Sequence, residues 1–200
     1  MDFSFSSKQQ LLEMLKLAGV SESTIEILTL QLKEVEVKSN QLLVKSGQTN
    51  THLYYVMEGG FVCRFVSEDK EIERTINFYL NELHPVMACI DSYFSQTKTS
   101  CELRAICDSK VLAISKIVLD NLIAVDPKIK MLFEQILTNA LIEENDLKLK
   151  IISCKPDVLY QYLIKEFPTI IHKVPSKYIA ELMGISAEWL SKLKSKNRIS

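Results

Sequence analysis

Residues 174–194 read VPSKYIAELMGISAEWLSKLK, and their spacing is that of two short helices joined by a tight turn. Ala180 stands four residues before Gly184, so a small residue lies where two helices would cross and a glycine lies in the turn. Ser186 is placed to cap the second helix. Apolar residues fill the inward positions, namely Ile179, Leu182, Ile185, Leu190 and Leu193. The pattern predicts a helix-turn-helix whose second helix has a free outer face.

The second helix of this motif carries side chains suited to contact with DNA. Those predicted to form the interface are Ser186, Ala187, Glu188, Ser191, Lys192, Lys194 and Lys196. Arg198 is a further basic residue that flanks them. Lysine neutralises phosphates and donates to guanine, while glutamate accepts from cytosine N4. Trp189, the one tryptophan, is expected to pack internally. The sequence thus predicts a reader of the major groove; a merely solvated basic face on a terminal helix is the alternative.

Residues 34–115 have a period of two, which is typical of strands. The alternating runs are short and are separated by turn signals such as Glu58-Gly59-Gly60. Two short helices precede them, the second with a capping-box pattern at Ser23 and Glu26. We therefore predict an α+β chain that begins with helices and continues as an antiparallel, jelly-roll-like β-roll.

Helical spacing returns after residue 115 and persists beyond Pro127 over roughly six turns. Such a long apolar stripe is typical of a coiled-coil-like seam between two copies of a chain. The residues predicted for a dimer seam are Leu132, Phe133, Ile136, Leu137 and Ala140. A helix that simply folds back on its own domain remains the alternative. A further helix is predicted over 155–167, stopped by Pro168.

Composition excludes several other classes of protein. The 200-residue chain is 47% apolar and 24% charged with a net charge of −1, which is typical of a globular protein. It has no apolar run of about 18 residues and a polar N-terminus, so we expect no membrane span, no secretion and a cytoplasmic location. Its five cysteines include no C-x-x-C pair, and its three histidines lie far apart. We predict no metal site and no enzymatic activity.

The order of helices, roll, long helix and helix-turn-helix resembles the Crp-Fnr family of bacterial transcription regulators, in particular short members from Bacteroidetes-like bacteria. The resemblance covers nearly the whole chain and is most specific in QLLVKSG at 41–47, HLYYVMEGG at 52–60 and residues 176–194. It implies a cyclic-nucleotide-binding-like sensor domain over 1–125, a dimerisation helix over 126–152 and a DNA-binding domain over 153–200.

The resemblance also implies roles for individual residues. Glu188 stands at the position of the family's base-reading glutamate, and Lys192 stands where the family has a guanine-reading arginine. Lysine keeps the charge of arginine but loses its two-pronged donor geometry. The chain ends at Ser200, where the family's wing hairpin would begin, so a full wing is not expected.

The sensor half departs further from the family pattern. The family's effector pocket maps to Ala88, Cys89, Lys98, Thr99 and Ser100. Ala88 and Cys89 replace the Gly-Glu pair that grips the ribose of a cyclic nucleotide, and Thr99 replaces the arginine that binds its phosphate. Strand alternation places Lys98 and Ser100 on the side opposite Thr99. We therefore expect no cyclic nucleotide and no other cofactor. A different small effector, no effector at all, and oxidation of Cys89 and Cys101 stay open.

The function these features favour is a dimeric transcription regulator with a degenerate or repurposed effector pocket. Its expected partners are double-stranded DNA, a second copy of the chain and RNA polymerase. Two alternatives belong to other classes. One is a protein-interaction or ligand-sensing module without DNA binding. The other is a cupin-type enzyme, which would need a cluster of histidines on facing strands that His52 and His84 do not supply.

Overall fold

The computed structural model describes residues 7–69 and 72–197, and within these ranges the chain forms nine helices and eight strands. In chain order they are α1 (Lys8–Leu17), α2 (Glu22–Gln31), β1 (Lys33–Val37), β2 (Leu42–Val44), β3 (His52–Glu58), β4 (Gly60–Val66), β5 (Glu73–Leu80), β6 (Val86–Met87), α3 (Ile90–Ser95), β7 (Cys101–Ala105), β8 (Ser109–Ser115), α4 (Lys116–Val125), α5 (Pro127–Ser153), α6 (Pro156–Glu166), α7 (Pro168–Lys173), α8 (Ser176–Met183) and α9 (Ala187–Asn197).

The strands form two antiparallel sheets of four strands each, in the orders β1-β8-β3-β6 and β2-β7-β4-β5. Strands distant in sequence are neighbours, β1 beside β8 and β2 beside β7, as in a roll rather than a simple meander. The interior between the sheets is filled by apolar side chains, among them Val56, Phe61, Leu103 and Val111, none of which is exposed. The predicted α+β class with an antiparallel β-roll is confirmed.

The two opening helices pack with α4 and the start of α5 against one side of the roll. Leu28, Leu122 and Leu132 are buried together in this cluster. The predicted pair of helices is confirmed, but the predicted cap at Ser23 is wrong. Ser21 caps α2, because its Oγ accepts a hydrogen bond from the backbone N–H of Thr24 at 3.3 Å.

Asp126 ties two helix starts together. Its Oδ1 accepts from the backbone N–H of Lys128 and Ile129 at the start of α5, at 2.9 and 3.3 Å. Its Oδ2 accepts from the backbone N–H and the hydroxyl of Ser21 at 3.1 and 2.8 Å. Burial disfavours the charged form, but hydrogen bonds from Thr24, Ser21 and Ile129 hold the pKa of Asp126 well below its usual value. The carboxylate thus fixes the start of the long helix to α2.

The C-terminal helices form a second core that includes part of the roll. Leu159, Leu163 and Ile179 of the helices are buried in one cluster with Val62 and Leu80 of the roll. The helix predicted over 155–167 is present as α6, and Pro168 begins a further helix, α7, that the spacing does not predict. The C-terminal helical unit is therefore docked on the sheet that contains β4 and β5.

Among the helices of residues 7–69 and 72–197, none has the length and apolar character needed to cross a membrane.

Replacing Asp126 with alanine is expected to lower the free energy of unfolding by about 1–3 kcal/mol, because it removes the cap of α5 and its link to α2. The folded-state pKa of Asp126 is depressed, so its contribution is complete above the unfolded pKa of about 3.9 and is lost as the pH falls below that value. Urea unfolding between pH 3 and pH 7 measures both effects.

Asp120→Ala is the matched control, because Asp120 is an exposed residue of the neighbouring helix α4 that pairs with Lys116. It should change stability by less than about 1 kcal/mol. Equal losses in the two variants, or an unchanged acid slope in Asp126→Ala, would contradict the double-cap role.

Candidate nucleic-acid interface

The turn between α8 and α9 has the geometry that its sequence predicts. Gly184 adopts φ +65° and ψ +29°, in the left-handed region that favours glycine. Its N–H donates to the carbonyl of Glu181 at 3.2 Å, and the N–H of Ile185 donates to the carbonyl of Ala180 at 3.0 Å. These bonds close the end of α8 and turn the chain into the next helix.

The two helices are held together through the predicted apolar face. Leu190 and Leu193 of α9 are buried, and they share a core with Ile179 and Ala180 of α8. Ala180 is 3% exposed, which agrees with a small residue at the helix crossing. The inward side of α9 is therefore committed to packing, and its opposite side is free.

The N-terminus of α9 is capped and carries a carboxylate. The Oγ of Ser186 accepts from the backbone N–H of Trp189 at 3.1 Å. Hydrogen bonds from its own backbone N–H and from the side chain of Ser186 hold the pKa of Glu188 below its usual value. Glu188 is thus an ionised acceptor at neutral pH, on the first turn of the predicted reading helix.

The structure places the predicted interface residues as follows: Ser186, Ala187, Glu188, Ser191, Lys192 and Lys196 are exposed, and Lys194 is half-buried. Two of the lysines have partners inside the protein. The Nζ of Lys194 donates to the hydroxyl of Ser176 at 2.6 Å, and Lys196 lies 3.6 Å from a carboxylate oxygen of Asp157. Among the residues that the structure describes, Lys192 has no hydrogen-bond or ion-pair partner, and Arg198 lies outside these residues. The central lysine of the exposed face is Lys192.

The expectation that Trp189 packs internally is wrong. Its side chain is 46% exposed, because α9 buries only the stripe that contains Leu190 and Leu193. At 100° per residue Trp189 lies next to Lys192 and Lys196 along the helix surface. The indole therefore borders the exposed face that carries the predicted interface.

A cluster of charged side chains, which the sequence patterns do not predict, joins the helix-turn-helix to the roll. Arg64 of β4 is almost fully buried and contacts three carboxylates. Its Nη2 lies 2.7 Å from Glu73, its Nη1 lies 3.3 Å from Glu102, and its Nε and Nη2 each lie 3.2 Å from an oxygen of Glu181 on α8. We call these four residues the Arg64 cluster.

Further contacts reinforce the same junction. The hydroxyl of Thr75 on β5 donates to Glu181 at 2.7 Å. The guanidinium of Arg64 lies 5.5 Å from the ring centroid of Tyr178, a fully buried residue of α8. Lys173 of α7 contacts Glu82 of the roll at 2.6 Å. A signal for this junction exists in the sequence, since an arginine interrupts the apolar strand at Val62-Cys63-Arg64-Phe65, but its partner is 117 residues away.

The predicted effector-pocket residues divide into two groups. Ala88, Cys89 and Thr99 are buried, whereas Lys98 and Ser100 are exposed. This agrees with the expected alternation. The structure therefore brings no cation from Lys98 to the side of the strand that Thr99 occupies.

The side chain beside Thr99 has the wrong charge for a phosphate. The hydroxyl of Thr99 donates to the carboxylate of Asp91 at 3.2 Å, and it accepts from the backbone N–H of Cys101 at 3.0 Å. A buried anion needs a positive partner and free donors. The carboxylate of Asp91 beside the hydroxyl of Thr99 opposes the binding of a cyclic phosphate there.

The long helix α5 has two faces with different surroundings. Of the residues predicted for the dimer seam, Leu132 is buried in the core of its own chain, and Phe133, Ile136, Leu137 and Ala140 are half-buried. The large apolar residues that are exposed on this helix are Met131, Leu141, Ile142, Leu149 and Ile152. Contacts hold its middle to the roll, because Asn77 donates to Glu144 at 2.8 Å and His84 contacts Glu143 at 2.8 Å.

Solved structures of transcription regulators share this fold. The structure of FixK2 from Bradyrhizobium japonicum superimposes with a TM-score of 0.71 and 14% identity, over 84% of this chain and 85% of that one. CLP from Xanthomonas campestris, a c-di-GMP-responsive global regulator, superimposes with a TM-score of 0.67 and 16% identity, over 90% of this chain and 92% of that one. A regulator assigned to the crp/fnr family from Eubacterium rectale superimposes with a TM-score of 0.66 and 12% identity, over 92% of this chain and 86% of that one.

These similarities show that the chain has the fold of the Crp-Fnr regulators, so the resemblance inferred from the sequence is confirmed at the level of the fold. No protein-family model and no curated protein matches the sequence.

Replacing Glu181 with glutamine is expected to destabilise the protein by about 1–3 kcal/mol, because Arg64 loses one of three charged acceptors in a buried setting. The loss should appear as weaker attachment of α8 and α9 to the roll. Hydrogen exchange would therefore show faster exchange in α8 and in β5, and urea unfolding would measure the total loss.

Glu166→Gln serves as the control, since Glu166 pairs with Lys165 at an exposed site on α6. Its effect on unfolding should stay below about 1 kcal/mol. If both variants unfold alike, the Arg64 cluster does not hold the two parts of the molecule together.

Proposed function

We propose that the chain is a member of the Crp-Fnr family and acts as a dimeric, DNA-binding transcription regulator. The observation that carries the proposal is the exposed face of α9, which presents Glu188, Ser191 and Lys192 on a helix whose other side is buried. Regulators with the same fold support it. The division into a sensor domain (1–125), a dimerisation helix (126–152) and a DNA-binding domain (153–200) is part of the proposal.

In this function α9 lies in the major groove of DNA. Lys192 donates to a guanine or a phosphate, and Glu188 accepts from cytosine N4. Lys196 and Lys194 contact the phosphate backbone, for which their bonds to Asp157 and Ser176 must open. Two copies of α9 must then reach successive major grooves, about 34 Å apart.

Dimerisation through α5 would supply that spacing. Thr138, Ile142, Asn145, Leu149 and Ile152 follow one another at steps of four and three residues, and all are exposed. This is the heptad spacing of a two-stranded coiled coil, and a polar residue such as Asn145 among apolar ones fixes the register of such a seam. Leu132 already packs in the core of its own chain, so it is not free to contact a second copy. The proposed seam therefore lies on the opposite face of α5, and it lies nearer the C-terminal end of the helix than the residues predicted from the sequence.

The sensor half is proposed to respond to something other than a cyclic nucleotide. Thr99 and Asp91 occupy the place where a phosphate would need a cation. A small effector of another kind, if one acts, must favour one arrangement of the two DNA-binding units over another. RNA polymerase as a partner and a cytoplasmic location stay predictions.

Lys192→Ala is expected to lower affinity for DNA about tenfold and to reduce the slope of log affinity against log salt by about one, because one phosphate or guanine contact is lost. The assay uses the protein's own upstream DNA, labelled for fluorescence anisotropy, over a salt series. The fluorescence of Trp189 gives an internal reading, because the chain has one tryptophan and it borders the proposed interface.

Lys165→Ala is the matched control, because this lysine is highly exposed on α6 and lies outside the proposed interface. It should leave both affinity and salt slope unchanged. Equal effects of the two substitutions would indicate only a general attraction between charges. Absence of DNA binding at every salt concentration would refute the regulator and favour the protein-interaction module.

Leu149→Asp is expected to weaken dimerisation by about 100-fold or more, because it buries an unpaired charge in the seam of α5. Analytical ultracentrifugation over a concentration series measures this shift from dimer to monomer. Ile117→Asp is the control for the location of the seam, because Ile117 is an exposed apolar residue of α4 that lies outside the proposed seam.

The seam is wrong if Leu149→Asp sediments like the unchanged protein, and it is also wrong if Ile117→Asp dissociates the dimer equally. A wild-type protein that stays monomeric at micromolar concentrations would refute dimerisation itself.

A further inference from the structure

Three of the five cysteines meet inside the roll. Cys63 of β4 and Cys89, which precedes α3, are buried, and Cys101 at the start of β7 is half-buried. The side chain of Cys63 lies close enough to both of the others for each of them to affect its pKa. All three belong to the apolar interior that includes Val44 and Leu103, in the part of the roll where the predicted pocket lies.

The register of the sheet explains why two of these thiols meet. Strands β4 and β7 are antiparallel neighbours in which Cys63 pairs with Leu103 and Phe65 pairs with Cys101. Cys101 is therefore two residues along β7 from the partner of Cys63, on the same face of the sheet. Such diagonal neighbours are within reach of each other's side chains.

The two thiols differ in the ways that separate an attacking thiol from a resolving one. The pKa of Cys101 is lowered, because a hydrogen bond from Cys63 favours its thiolate; burial and the nearby carboxylate of Asp91 oppose this effect. The pKa of Cys63 is raised well above its usual value by its bonds to Cys101 and Cys89 and by burial. Cys101 also has the better access to solvent.

We propose that Cys101 and Cys63 form a hydroperoxide-reactive pair that closes to a disulfide. The Cys101 thiolate attacks one oxygen of hydrogen peroxide, so an S–O bond forms, the O–O bond breaks and hydroxide leaves as Cys101 becomes a sulfenic acid. The sulfur of Cys63 then attacks that of Cys101, forming S–S and releasing hydroxide, which takes the proton of Cys63. Two thiols lose two electrons and two protons, and one peroxide becomes two waters.

The opposite face of the same two strands carries the Arg64 cluster. Arg64 follows Cys63 on β4, Glu102 follows Cys101 on β7, and the two are direct partners in the register. Arg64 in turn holds Glu181 of α8. Diagonal neighbours have Cα atoms about 7–8 Å apart, whereas a disulfide usually spans about 4.4–6.8 Å. Closing the bond therefore draws β7 against β4 and shifts the side chains to which the helix-turn-helix is attached.

Peroxide titration of the reduced, full-length protein tests the pair. Intact mass spectrometry should show a loss of 2 Da, and peptide mapping without reductant should recover a peptide that links Cys63 to Cys101. In Cys63→Ser the reaction should stop at the sulfenic acid of Cys101, a gain of 16 Da that a sulfenic-acid-specific reagent captures. Cys101→Ser should form no disulfide in the roll.

The controls are Cys107→Ser and Cys154→Ser, because these two thiols lie outside the cluster. Both variants should still form the Cys63–Cys101 bond. A disulfide that links Cys63 to Cys89, or peroxide that modifies Cys107 and Cys154 while Cys101 stays reduced, would overturn the assignment. Thermal unfolding of each variant before oxidation confirms that it is folded, and Cys63→Ala replaces Cys63→Ser if the hydroxyl is not tolerated.

Hydrogen exchange of the oxidised and reduced protein tests the coupling to α8. Oxidation should change the exchange of amides in β4, β7 and α8, and the change should be absent from Cys101→Ser. Changes confined to β4 and β7 would refute the coupling while leaving the thiol chemistry intact. This readout needs no DNA, so it is independent of whether the proposed regulator binds DNA.

Discussion

The arrangement of the two halves of this molecule depends on the charge of Arg64. A guanidinium that is almost fully withdrawn from water is stable only where carboxylates surround it, and three of them do. Glu73 and Glu102 lie on the strands beside β4, but Glu181 lies on α8. The requirement to neutralise one strand residue therefore fixes where the helix-turn-helix sits on the roll. Tyr178 and the apolar cluster around Leu80 then pack at a place that the charges have already defined.

A docked helix-turn-helix can be displaced by small movements in the sheet below it. The bonds of Arg64 are directional, and a guanidinium in a fork of carboxylates tolerates little change in distance. A shift of β4 or β7 consequently alters the contact with Glu181 before it alters the apolar core. The long helix is held to the roll by separate bonds through Asn77 and His84. The orientation of α9 relative to α5 thus depends on both sets of contacts, and in the proposed dimer this orientation decides whether two copies can engage DNA together.

The features that the sequence predicts correctly are those with local causes. The turn at Gly184 needs only a residue that tolerates positive φ, and the start of α9 needs only the hydroxyl of Ser186. The alternation of the strands also reflects a local property, the two faces of each strand. By contrast, Arg64 contacts Glu181, which is 117 residues away in the sequence. The helical and strand periodicities of the sequence carry no information about a contact between such distant residues. The choice of seam on α5 was ambiguous for a related reason, since apolar residues surround this helix and only packing shows that Leu132 is already occupied.

The exposure of Trp189 and the chemistry of the roll interior both depend on which face of an element a residue occupies. A large apolar residue is commonly buried, but α9 is short and has a single buried stripe, so its position on the helix outweighs its hydrophobicity. In the roll, the interior holds the thiols and the buried hydroxyl of Thr99, while the positive charge of Arg64 stands on the outer face at the adjacent strand position. In the proposed mechanism, a change inside this roll reaches the helix-turn-helix as a displacement of strands and not as a direct attraction between charges. The strands concerned are β4 and β7, which carry thiols on one face and the Arg64 cluster on the other.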